Sequence, residues 1–117
     1  MVVGKIIGIM FMSRTYAHMA HLHTSNLSDH LALNEFYDCV VGLADTLAEA
    51  AQGKSGIIDI PVMEPKGELS DPIDALTTHI KMIENLAKKC SDRHLEAIID
   101  NIAALYYSTL YKLKELS

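Results

Sequence analysis

Tryptophan is absent from this 117-residue sequence, and two phenylalanines and five tyrosines make up its whole aromatic content. A core built with so few rings must rest on Leu, Ile, Met and Ala, which are residues of helices rather than of sandwiches. The two cysteines, Cys39 and Cys90, fall within helical patterns and are too few for a disulfide framework, so a reducing compartment is expected. No run of basic residues occurs, and fifteen acids against ten Lys and Arg leave a formal net charge of −5. Binding of nucleic acid through a basic arm is therefore disfavoured. No apolar run reaches the ~20 residues of a membrane span. The N-terminal MVVGKIIGIMFM is followed by Ser13-Arg14-Thr15-Tyr16 rather than by a small-residue cleavage site, and is expected to be a buried helix start. Also missing are a Gly-rich phosphate loop opening a helix, a Ser/His/Asp motif and a Cys pair at zinc spacing.

Half of the residues are apolar, enough for a core, and the length suits a single domain over residues 1–117. Periodicity and capping residues place four helices, at about 2–23, 29–52, 72–89 and 92–115. The first is apolar on nearly every side through its first dozen positions, so either it lies centrally or a partner covers its outer face. Gly4 and Gly8 would let another helix come close. In the second, Leu33, Phe36, Val40, Leu43, Leu47 and Ala50 form a stripe at steps of three and four. Ser28 is expected as its N-cap and Gly53 as its C-cap. Ser70-Asp71-Pro72 opens the third, whose apolar face is Ile73, Leu76, Ile80, Ile83 and Leu86. Ser91 caps the fourth, with Ile98, Ile102, Leu105, Thr109 and Leu113 inward. So short a link between the last two helices requires an antiparallel hairpin.

Residues 53–70 hold the densest cluster of glycine and proline, in a loop longer than most compact domains tolerate. A helix of ~22 residues is ~33 Å long, and about seventeen extended residues reach ~55 Å. The loop can thus run the length of the bundle and start the third helix parallel to the second. Two hairpins joined by one long crossover is ferritin-like connectivity, so the expected fold is an all-α, ferritin-like four-helix bundle. Ile57-Ile58-Asp59-Ile60 would pair as a short strand or lie flat on the bundle.

Six histidines invite a metal reading, four of them close together: His18, His21, His23 and His30. Asp45 and Glu49, spaced i,i+4, project from one face of the second helix. Imidazole nitrogen with carboxylate oxygen suits iron, zinc or manganese. The folded-back first hairpin sets His21 opposite His30 at one end and the acids near the other. Two residues from Leu43 or Leu47 is a rotation of ~200°, so the acids face outward. A second subunit lying antiparallel on that face would bring its histidines onto them, which makes any metal site intersubunit. His79 and His94, taken to lie alone near helix ends, are read as structural, and the tyrosines as amphipathic packing with a polar tip. The second hairpin offers Glu84 and Asp100 but no E-x-x-H, which disfavours a site within one bundle.

His21-Leu22-His23-Thr24, His30 followed by Asn34-Glu35-Phe36-Tyr37, and Asp45-x-x-Ala48-Glu49 together resemble the signature of the Dps (starvation-induced ferritin-like) family. They look closer still to small phage-encoded ferritin-like proteins. The resemblance covers residues 18–53 and implies an iron site between two subunits, with His21, His30, Asp45 and Glu49 as ligands and His18 as a further candidate. It also implies a homo-oligomer, an antiparallel dimer or larger shell, in the cytoplasm of a bacterial host, with a ferroxidase-like activity if the protein is an enzyme. Leu22 stands where the family has Trp, and Asn34 where it has Asp. No Lys-rich tail exists, so DNA protection does not carry over. These differences support a second expectation: a helical interaction or virion-associated protein that keeps the bundle without iron chemistry.

Overall fold

The computed structural model describes residues 2–64 and 71–117. Within them the chain forms four helices and no strand: α1 (Val2–His23), α2 (Leu27–Ser55), α3 (Pro72–Ala87) and α4 (Arg93–Glu115). Residues 65–70, which include the Ser70 of the expected start signal and the end of the expected crossover, lie outside the described residues.

Capping chemistry sets the ends, and at several of them it differs from expectation. α2 is capped by Asn26, whose side chain accepts from the Asp29 N–H at 3.0 Å. Ser28 instead donates its hydroxyl to the Leu116 carbonyl at 2.9 Å. At the other end α2 continues past Gly53 to Ser55. Gly56, at φ 84°, adopts the left-handed backbone that disfavours a side chain and gives its N–H to Gln52. Asp71 accepts from the Ile73 N–H ahead of Pro72. Asp92 rather than Ser91 caps α4, accepting from both His94 and Leu95.

Contacts across the helices give their directions. α1 turns back on α2 through residues 24–26. Glu35 of α2 pairs with Lys112 of α4 at 2.7 Å, and Lys54 pairs with Asp92 at 2.8 Å, so α2 and α4 run antiparallel. α3 and α4 form a tight hairpin in which the Tyr107 hydroxyl donates to Glu84. It follows that α2 and α3 point the same way. α1 and α4 each pack on both α2 and α3. The core between them is aliphatic, centred on fully buried Ile6, Met10, Leu33, Leu47, Ile80 and Ile102, with Phe36 set edge-on to Tyr106.

The segment after Gly56 explains why α1 is apolar all round. It runs extended along the outer side of α1 in the direction of that helix, with Ile58, Ile60 and Met63 half-buried against the core. A Cβ on Gly4 would lie 1.9 Å from the Asp59 carbonyl oxygen, and one on Gly8 2.6 Å from that of Pro61. The two glycines therefore admit this strap of backbone, not another helix. Residues 57–60 lie flat and form no strand.

Candidate functional site

The last two turns of α1 and the first turn of α2 bring His18, His21 and His30 together. His21 is buried, 7% exposed, and its ring stacks on that of His30 with centroids 3.6 Å apart. Each ring bonds through Nδ1 to the other residue's backbone carbonyl, at 2.8 and 2.9 Å. A carbonyl can only accept, so both rings carry a hydrogen on Nδ1. In the neutral ring the lone pair is then on Nε2. His18 stacks on Tyr37 at 4.3 Å, and its ring lies 6.1 Å from that of His21. The Arg14 guanidinium lies 5.9 Å from the Tyr37 ring centre, and the Tyr37 hydroxyl donates to Asn34 at 2.6 Å. Asn34 thus serves as an acceptor for a tyrosine and a donor to Asp38.

The acids are elsewhere. Asp45 and Glu49 are exposed on α2, one helical turn apart. No hydrogen bond or ion pair engages either of them among the described residues. Fifteen residues of helix, ~22 Å, separate His30 from Asp45. One chain therefore brings three of the five expected ligands together and leaves the other two apart. No group of three or more His, Cys, Asp or Glu side chains arranged to hold a metal occurs among the described residues. His23 is exposed. His94 accepts through Nδ1 from Lys54 at 3.0 Å, beside Asp92, whose carboxyl the Lys54 ammonium holds below the usual carboxylate range.

A second polar cluster is not visible as a sequence motif. Ser13 of α1, His79 of α3 and Tyr106 of α4 meet inside the bundle, with Ser13 and Tyr106 fully buried and His79 8% exposed. Tyr106 donates to Ser13 Oγ at 2.7 Å, and Ser13 Oγ lies 2.8 Å from His79 Nδ1. Burial pushes the Tyr106 hydroxyl far above the usual phenol range and lowers His79. His79 sits in the middle of α3 rather than near its end, and the polar tip of Tyr106 faces inward. The available signal was that Leu76, His79, Ile80 and Ile83 share one face at steps of three and four.

The fold is thus an all-helical four-helix bundle with a histidine cluster at one hairpin turn. The chain belongs to a family of unknown function, DUF5856, which it matches over residues 21–113. No curated protein and no solved structure matches it. No helix among the described residues is long and apolar enough to cross a membrane.

Proposed function

We propose that this chain is a Dps-like member of the ferritin-like class that binds iron between antiparallel copies of itself, with oxidation and storage of iron as the activity such a site would serve. The parallel course of α2 and α3, joined by a long connection, is in keeping with ferritin-like connectivity. The observation that carries the metal reading is the fixed tautomer of His21 and His30. Metal-binding imidazoles commonly give their second ring N–H to a carbonyl or carboxylate, and both rings here do so. Asp45 and Glu49, exposed and unengaged, would come from the partner copy, and His18 stands close enough to join. Imidazole nitrogen and carboxylate oxygen fit iron(II), and zinc or manganese equally well. A metal held there would supply redox or Lewis-acid chemistry, while the chain's own groups hold the ligands in place.

The competing reading is a helical interaction protein without iron, which would fit a virion-associated role. Two observations favour it. Stacked rings direct their lone pairs along parallel planes, so His21 and His30 reach one ion only if one ring turns. At the same turn Leu22 and Leu27 are 72% and 71% exposed, with Met19 and Leu31 exposed beside them. An apolar patch rimmed by polar residues is a common mark of a protein contact.

Anaerobic iron(II) titration by calorimetry, with light scattering for the subunit count, separates the two. The metal reading expects saturable binding by a dimer or larger assembly. It also expects a loss of more than about tenfold in affinity on Asp45→Ala with Glu49→Ala, and a similar loss on His21→Ala. A stable oligomer that takes up no iron, zinc or manganese would leave the interaction protein.

A further inference from the structure

We propose that Ser13, His79 and Tyr106 form an acid-sensitive latch, and that protonation of His79 loosens α3 from α1 and α4. The three residues come from three helices and meet in the core, away from the hairpin turn, so the inference does not depend on metal binding. Their hydrogen bonds have a direction. Tyr106 donates to Ser13 Oγ, and the serine hydroxyl has one hydrogen of its own to give. In the latch we propose, that hydrogen goes to His79 Nδ1, 2.8 Å away, which accepts, and the neutral ring carries its hydrogen on Nε2.

A proton added at Nδ1 reverses the second bond. Ser13 must then accept from both neighbours and turn its own hydrogen away from the ring. The new charge would face the hydroxyl of Ser13 and the ring of Tyr16 on α1, with Tyr106 of α4 behind the serine. No carboxylate pairs with His79 among the described residues. Burial of the ring disfavours the charged form, so the folded chain holds His79 neutral below 6.5, where an unfolded histidine takes up its proton. This contribution to stability is complete above pH ~6.5, falls as pH drops below it, and levels off under the lowered folded value. α3 is the element to yield, since it is the shortest helix, at 16 residues, and its packing on α1 and α4 is the least extensive between helices among the described residues.

The test compares thermal unfolding of the full chain and of His79→Asn at pH 7.5 and 5.5. The asparagine Oδ1 takes the place of Nδ1 as acceptor and does not titrate. The other histidines contribute equally to both proteins, so the difference isolates His79. The native chain is expected to lose more than the variant on acidification, by up to about 5 °C, and equal losses overturn the proposal. Should the variant not fold, hydrogen exchange of the native chain decides. A ratio of α3 to α2 protection factors, each corrected for the intrinsic pH dependence of exchange, that falls between pH 7.5 and 5.5 supports the latch, and an unchanged ratio overturns it.

Discussion

Phe36→Ala is expected to lower the stability of the bundle by about 3–5 kcal/mol, the usual cost of emptying a buried aromatic site. Phe36 is fully buried at the α2–α4 contact, with its ring edge-on to Tyr106 and centroids 4.9 Å apart. Such ring pairs add about 0.5–1.5 kcal/mol beyond the area they bury. A chain this small has a total stability of only about 5–15 kcal/mol. The variant should therefore unfold at a much lower urea midpoint, or be largely unfolded at 37 °C. The cavity would also open beside Tyr106, which holds the polar cluster, so the loss belongs at the upper end of the range. A drop below about 1 kcal/mol in urea denaturation would mean that α2 and α4 do not meet at Phe36.

The second large effect is a pair of identical substitutions with opposite signs. Alanine is more favourable than glycine in a helix interior by about 0.8–1 kcal/mol. At Gly42, where nothing lies within 4 Å of an added Cβ, that preference should act alone. Gly42→Ala is expected to stabilise the dilute protein by nearly that amount. At Gly4 the same methyl would meet the Asp59 carbonyl oxygen at 1.9 Å, and that oxygen belongs to backbone that can only move by leaving the helix. Overpacking of this kind typically costs about 1–3 kcal/mol, enough to outweigh the helix preference. Gly4→Ala should therefore destabilise and expose residues 57–63 to limited proteolysis. Two stabilising substitutions would show that the strap does not rest on α1.

What could be read in the sequence depended on how local its cause was. Helix starts are local chemistry, and Asp71-Pro72 announces α3 whatever the rest of the chain does. Where two candidate caps stand close together, the choice passes to distant contacts. Ser28 lost the cap of α2 to Asn26 because its hydroxyl found the end of α4. The stripe of α2 contained Leu33, Phe36, Val40 and Leu47 as expected, but Leu43 and Ala50 are only half-buried and Ala44 and Ala51 take the inner places. Small residues carry a weak signal of burial, since their surface is small either way. On α4 neighbouring apolar residues leave the register of the stripe open, and Ile98 and Leu105, expected inward, are half-buried where Ile99 and Tyr106 are the more deeply buried. The pairing of His21 with His30 followed from folding one helix back on the next. The Ser13, His79 and Tyr106 cluster could not be read in that way, because it joins residues 66 and 93 positions apart on three helices.

The antiparallel pairing of α2 with α4 also settles where the two ends of the described chain sit. α1 begins level with the C-terminal part of α2, and α4 finishes beside Ser28, where α2 begins. Val2 and Leu116 thus lie toward opposite ends of a body 44 Å long. Circular permutation by a short peptide is disfavoured on length alone, since the bridge would have to run roughly the ~33 Å of α1, about ten extended residues. The same separation makes the molecule a ruler: dyes at the two poles would report by energy transfer on any change in its length.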